Sequence, residues 1–167
     1  SYQAAAWPVV LLLVPLFVLL YLAVPIIAER IGRPLDTLGE RSALAAPAML
    51  FVFATLPSLE PRSASPLATF GTLFGLLAAI AGCAIWRERG SLYFVGAFFA
   101  LATEAAWSAH FLTAERLLPS LAIYGGFGLF YLGVPMLARR LGRRLEPQGG
   151  GALLLLVSLG LLLFLAA

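Results

Sequence analysis

Lysine is absent from this 167-residue chain, and cysteine and histidine occur once each. Charged residues of all kinds make up only 11% of it. Each scarcity excludes something. The lone Cys83 cannot form an intrachain disulfide or contribute to a thiol metal cluster, and in its apolar run it reads as a small buried hydrophobe. A single histidine, His110, gives neither a zinc set nor a paired axial-ligand pattern for haem. All 11 basic residues are arginines confined almost wholly to short segments between apolar runs. That is the pattern of solvated connections, whereas nucleic-acid binding gathers basic residues on one face. No nucleophile elbow, phosphate loop or metal-ligand motif is present, and Gly125, Gly126 and Gly128 lack the strand and turn that a dinucleotide fingerprint requires. The expectation is a chain with no cofactor and no nucleic-acid partner.

What is present is hydrophobic: 62% of the residues, against about 45–50% in soluble domains. The 16 glycines and 11 prolines sit inside or at the ends of Leu/Ala/Phe runs, which argues against disorder. Lipid is therefore the expected solvent. A hydrocarbon layer of about 30 Å needs roughly 20 apolar helical residues. Six stretches meet or approach that length: Trp7–Ala28, Ser42–Leu59, Pro66–Trp86, Ser91–Thr113, Pro119–Ala138 and Gly151–Ala167. The expected fold is all-α, a single polytopic transmembrane bundle over residues 1–167 with about six spans. Pro47 and Pro57 bracket the most apolar part of the second stretch, leaving a re-entrant or strongly shielded segment open there. Gly32, Pro34, Pro57, Pro61 and the run Gly149 to Gly151 punctuate boundaries. Pro25 and Pro135 fall inside spans, where each removes a backbone hydrogen bond and should kink its helix.

The first, third and fifth connections carry nine arginines (Arg30, Arg33, Arg41; Arg87, Arg89; Arg139, Arg140, Arg143, Arg144), and the other two carry Arg62 and Arg116. The positive-inside bias makes the odd connections cytoplasmic and puts both termini outside. An outside start without Met and an end within an apolar run are expected of a segment from a longer chain.

An internal repeat supports that expectation. Tyr21 to Leu35 aligns with Tyr131 to Leu145 at a constant offset of 110, with nine of fifteen positions identical, including Pro25/Pro135 and the Arg-x-Gly-Arg exit. Asp36 and Gly39 meet Glu146 and Gly149 at the same offset. The unit would be four spans, residues 1–113, with residues 119–167 opening a second copy. An even number of crossings makes this a parallel repeat, unlike the inverted repeats of many secondary transporters.

The run from Glu104 to Leu118, then Ala122-Ile123-Tyr124 and Tyr131 to Arg140, resembles the large, many-helix bacterial membrane proteins of a domain-of-unknown-function family. The likeness lies in an apolar-Tyr-apolar-Pro-Arg-Arg rhythm and a Trp near a span end. This chain is far shorter and lacks the soluble, coiled-coil-like N-terminal region of such proteins. The resemblance implies a bacterial inner-membrane location and brings no catalytic residues.

Glu104 is the main candidate for intramembrane chemistry. It lies roughly 20 Å from the cytoplasmic end and roughly 13 Å from the outer end of its span. A carboxylate at that depth should be neutral, paired, or turned to water or the bundle interior. Ala100, Leu101, Trp107 and Ser108 share its face, and Ser108 could donate to it. His110, about 120° around the helix, is expected at the interface. Gly71, Gly75, Ala78 and Gly82 form a small-residue stripe expected to seat a neighbouring helix. Trp86, Tyr93, Trp107 and Phe111 are expected in interfacial belts. The arginine clusters at 30–33 and 139–144 could attract anionic lipid heads, whereas the triplet at 87–89 is too small for an enzyme of lipid-linked substrates.

Two functions follow. The first is a non-enzymatic scaffold or accessory subunit that packs in the bilayer against other membrane chains. The second is a segment of a transporter or ion-coupled permease with Glu104 in its pathway. Water around Glu104 would favour transport, and a foreign chain against it would favour the accessory role.

Overall fold

A computed structural model of the chain describes residues 2–33, 45–59, 66–145, 153–154 and 156–160. The expected features at Pro34, Asp36, Gly39, Arg41, Pro61, Arg62, Glu146 and Gly149 to Gly151 lie outside these residues, as does most of the sixth stretch. The described residues are helical with no strand. In chain order they form α1 (Tyr2–Arg30), α2 (Ala45–Ala48), α3 (Phe51–Leu59), α4 (Pro66–Arg87), α5 (Gly90–Phe111), a 3₁₀ turn (Ala114–Arg116) and α6 (Leu117–Arg140). Residues 153–154 and 156–160 are also helical.

Among the described residues, four stretches are long and apolar enough to cross a membrane: Leu12–Arg30, Pro66–Arg87, Gly90–Phe111 and Ala114–Arg140. In the second stretch, where the sequence leaves a shielded or re-entrant segment open, the described residues form two short helices. It divides into four-residue α2 and nine-residue α3, and nine residues advance only about 13 Å. Between them the ladder tightens: Leu50 N donates to Pro47 O, Val52 N to Met49 O and Phe53 N to Leu50 O. These i to i−3 bonds are the mark of a 3₁₀ segment. The stretch is shielded, with Ala46, Pro47, Leu50 and Phe53 buried.

Three helices end alike. Gly32 N donates to Glu29 O and Arg33 N to Ala28 O, with Gly32 at φ 74°. At the offset of 110, Gly142 N donates to Arg139 O and Arg143 N to Ala138 O, with Gly142 at φ 72°. Both are Schellman caps, in which a left-handed glycine lets two terminal carbonyls be satisfied. α4 closes the same way through Glu88 at φ 54°, Glu88 N donating to Ile85 O and Arg89 N to Ala84 O. A glutamate there carries a cost of about 1 kcal/mol that glycine avoids. Its carboxylate, in return, pairs with Arg143 beyond α6, while Arg87 pairs with Glu29 of α1. The C-terminal ends of α1, α4 and α6 are thus laced together at the arginine-rich end of the bundle.

α5 sits at the centre. It packs on α3 and on its hairpin partner α4, and α4 also meets α1 and α6. Among the side chains described on α1, Val14, Val18, Leu22 and Pro25 form one narrow buried stripe and most other apolar ones are exposed, as expected of a peripheral helix facing lipid. α4 buries Leu73, Leu77, Ile80 and Ala84. Its small-residue stripe is on the opposite side: Gly71, Gly75, Ala78 and Gly82 are exposed, and a Cβ on any of the three glycines meets nothing within 4 Å. Among the described residues the stripe therefore seats no helix of this chain. The close approach comes at Gly96 of α5, where a Cβ would stand 3.0 Å from Leu77 Cδ1 and 3.6 Å from Pro47 Cβ.

The helices run on through Pro25 and Pro135. Pro135 has no N–H for the carbonyl four residues earlier, that of Tyr131. Tyr93 of α5, buried within the bundle, donates its hydroxyl to that carbonyl at 3.0 Å. In an apolar medium a freed carbonyl must be met by a neighbouring group, and here α5 supplies it.

Two outcomes follow for stability in detergent or bilayer. Tyr93→Phe should cost about 1 kcal/mol, and markedly less in a Pro135→Ala background where the helix reclaims its own bond. Equal costs in both backgrounds, read by denaturation of the four proteins, would disprove the repair. Gly96→Val should cost roughly 1–3 kcal/mol by overpacking, whereas Gly75→Val should leave the melting of the isolated chain nearly unchanged.

Candidate functional site

Glu104 stands on the most enclosed helix of the bundle. Spacings of three and four along α5 bring Ala97, Ala100, Leu101, Glu104, Trp107 and Ser108 inward, and Glu104 is 0% exposed. Tyr124 and Tyr131 lie seven residues apart, two turns along one stripe of α6, so both rings reach the same side of α5.

Each carboxylate oxygen accepts one hydroxyl. Tyr131 donates to Oε1 at 3.1 Å and Ser158 donates to Oε2 at 2.7 Å. Tyr124 gives its proton to the Glu104 main-chain oxygen at 3.1 Å. With that proton committed, the Tyr124 oxygen accepts from Ser108 at 2.6 Å. Ser108 thus bonds Tyr124 rather than the carboxylate, although it shares the Glu104 face. The site joins three parts of the chain: α5, α6 and the helical segment 156–160. Glu104 faces other helices of its own polypeptide.

Aromatic rings close it off. Trp107 is fully buried within the bundle and meets Phe70 edge-on at 5.7 Å between centroids. Phe70 also meets Tyr124 and Phe127 edge-on, at 5.6 and 6.0 Å. Such pairs add about 0.5–1.5 kcal/mol each beyond area burial. Trp86 alone among the expected belt tryptophans and tyrosine is exposed, and Phe111 is half-buried.

His110 is exposed at the far end of α5, its Nδ1 2.8 Å from Ala106 O, and it does not join Glu104. Among the described residues no three His, Cys, Asp or Glu side chains cluster as metal ligands would. Cys83 is half-buried on α4. Sequence inspection missed Tyr131, Tyr124 and Ser158 as partners of Glu104. The available signal was the Tyr124/Tyr131 spacing on an otherwise apolar helix face.

Comparison with protein families, characterised proteins and solved structures yields no match for this chain.

Removing the acceptor should separate polar clamping from simple filling. Glu104→Leu leaves the Tyr131 and Ser158 hydroxyls buried without partners and should cost roughly 2 kcal/mol, while Glu104→Gln retains an acceptor oxygen and should cost less than about 1 kcal/mol. Thermal denaturation of both variants in detergent checks this. A Leu variant as stable as the parent would mean the hydroxyls do not depend on Glu104.

Proposed function

We propose that this chain is a membrane-embedded helical scaffold or accessory subunit without catalytic chemistry of its own. The observation that carries the reading is the occupation of both Glu104 carboxylate oxygens by hydroxyls from α6 and residue 158, in a side chain with no exposed surface. A coupling carboxylate must exchange its partner with water or a transported ion, whereas one held by hydroxyls of neighbouring helices away from solvent serves to hold those helices in register.

The proposal extends to the arrangement in the bilayer. Six segments enter it, the second as a shielded half-span and the sixth through the helix containing residues 156–160. The arginine-rich end is cytoplasmic and both termini are outside, in a bacterial inner membrane. Support comes from the bias of nine arginines against two, from the ion pairs that gather the odd connections, and from the family resemblance around Glu104. The four-span parallel repeat belongs to the same proposal. It is supported by the identical positions at offset 110 and by the matching Schellman caps at Gly32 and Gly142. Partner membrane chains would pack on the outer faces, where the exposed stripe Gly71, Gly75, Ala78 and Gly82 offers accessible backbone.

The competing permease reading draws on the same hydroxyls, since a line of tyrosines and serines around a carboxylate is also a means of moving protons. Flux decides between the two. The purified chain in proteoliposomes should pass protons and monovalent cations no faster than empty vesicles, and Glu104→Gln should leave that background unchanged. A flux well above background that disappears in a folded Glu104→Gln variant would overturn the scaffold assignment.

A further inference from the structure

The offset of 110 lays α6 over α1, and the two helices carry the same side chains into different surroundings. On α6, Phe127, Tyr131, Val134 and Ala138 follow one another at spacings of three and four and are all buried. Phe127 meets Phe70 and Phe74 of α4 edge-on, and Tyr131 bonds Glu104 of α5. The equivalent positions of α1 hold identical residues, Phe17, Tyr21, Val24 and Ala28. There Phe17 and Val24 are 45% and 42% exposed, against 2% and 6% for Phe127 and Val134. Tyr21 and Ala28 are half-buried, whereas Tyr131 and Ala138 are sealed.

Three polar groups on this part of α1 repeat groups of α6 that are satisfied. Pro25 has no N–H for the Tyr21 carbonyl, just as Pro135 has none for that of Tyr131. Tyr93 donates to the Tyr131 carbonyl, and among the described residues no side chain donates to that of Tyr21. The Tyr131 hydroxyl reaches Glu104, while the Tyr21 hydroxyl reaches no acceptor among the described residues. Arg143 pairs with Glu88, while exposed Arg33 pairs with no carboxylate among them. The three groups that serve α6, Tyr93, Glu104 and Glu88, all come from α5 or the turn before it. Beside their unserved counterparts lies an open groove of about 410 Å³ along Val24, Ile27, Ala28, Ile31 and Arg33. In an apolar layer a released carbonyl needs a donor from a neighbouring element.

We propose, on the parallel-repeat reading, that this face of α1 is the docking surface for the closing helix pair of another four-span unit, seated there as α4 and α5 are seated on α6. Chemistry defines the partner. It is an antiparallel pair of apolar helices whose turn carries a carboxylate for Arg33. Its second helix brings a hydroxyl to the Tyr21 carbonyl and an acceptor, deeper in the span, to the Tyr21 hydroxyl. Polar contacts of this kind orient helices where lipid removes water-driven association. A second copy of this chain does not qualify, because its α4–α5 pair is already covered by its own α6.

A lengthened chain tests this, with residues 66–110 repeated ahead of Ser1 so that the offset is kept, and with Cys83→Ser in both copies. In bilayers a short bismaleimide should join Arg33→Cys to Glu88→Cys of the added segment within one molecule, to the extent that it joins Arg143→Cys to Glu88→Cys of the original one. Tyr21→Phe should leave the melting of the parent chain unchanged and lower that of the lengthened chain by about 2–4 °C, the loss that Tyr131→Phe produces in both. Joining of the original pair without joining to the added segment would overturn the docking face and leave the repeat standing. Failure of both pairs would overturn the repeat reading and the docking face together. If the lengthened chain does not fold, the parent chain decides: a loss on Tyr131→Phe alone supports a vacant face, and an equal loss on Tyr21→Phe overturns it. Crosslinked dimers of the parent chain carrying Arg33→Cys and Glu88→Cys would assign the face to a second copy and overturn the choice of partner.

Discussion

A carboxylate sealed inside a helix bundle must find its hydrogen-bond donors on the helices around it, and that requirement organises the interior of this chain. Glu104 has no exposed surface, so Tyr131 and Ser158 must both approach it, which fixes the rotation of α6 and of the helix containing residues 156–160 about α5. Tyr124 repeats the contact one layer away through the Glu104 carbonyl and Ser108. Tyr93 completes the seam from the opposite direction by capping the carbonyl that Pro135 leaves open. The α5–α6 contact is thus polar at its centre, while both helices remain apolar towards lipid. Where lipid removes the driving force of water exclusion, small residues and interior hydroxyls of this kind are what give helix pairs a preferred orientation.

The arginine-rich end obeys a second constraint, that terminal carbonyls near the edge of an apolar layer need partners. Three Schellman caps meet it for α1, α4 and α6, and the ion pairs Arg87 to Glu29 and Arg143 to Glu88 tie the capped ends together. The use of Glu88 where glycine would be easier is intelligible only because its side chain reaches Arg143.

Much of this was legible in the amino-acid order. Apolar runs of about 20 residues located the helices now seen at α1, α4, α5 and α6, because span length is a one-dimensional property. Glycine and arginine marked the helix ends, and the isolated acid in an apolar helix pointed to Glu104. The remainder depended on distance in space. Nothing local distinguishes Ser158 from other serines, and it becomes a partner only when a helix 54 positions away is brought beside Glu104. The small-residue stripe on α4 looked like a packing face, yet Leu73, Leu77 and Ile80 on the other side offer more contact and took the interior. Gly96, less conspicuous in the sequence, marks the close approach instead. Trp107 and Tyr93 lie near span ends by count, yet both are on the buried face of α5 and point inward.

The seclusion of Glu104 is best measured by its chemical reactivity in the intact bilayer-embedded chain. A water-soluble carbodiimide with a soluble amine should modify exposed Glu115 readily and leave Glu104 untouched, and Glu104 should become reactive when Tyr131→Phe and Ser158→Ala are combined. Modification of Glu104 at the rate of Glu115 in the unaltered chain would show that water reaches it, and the account of a sealed interhelical clamp would be wrong.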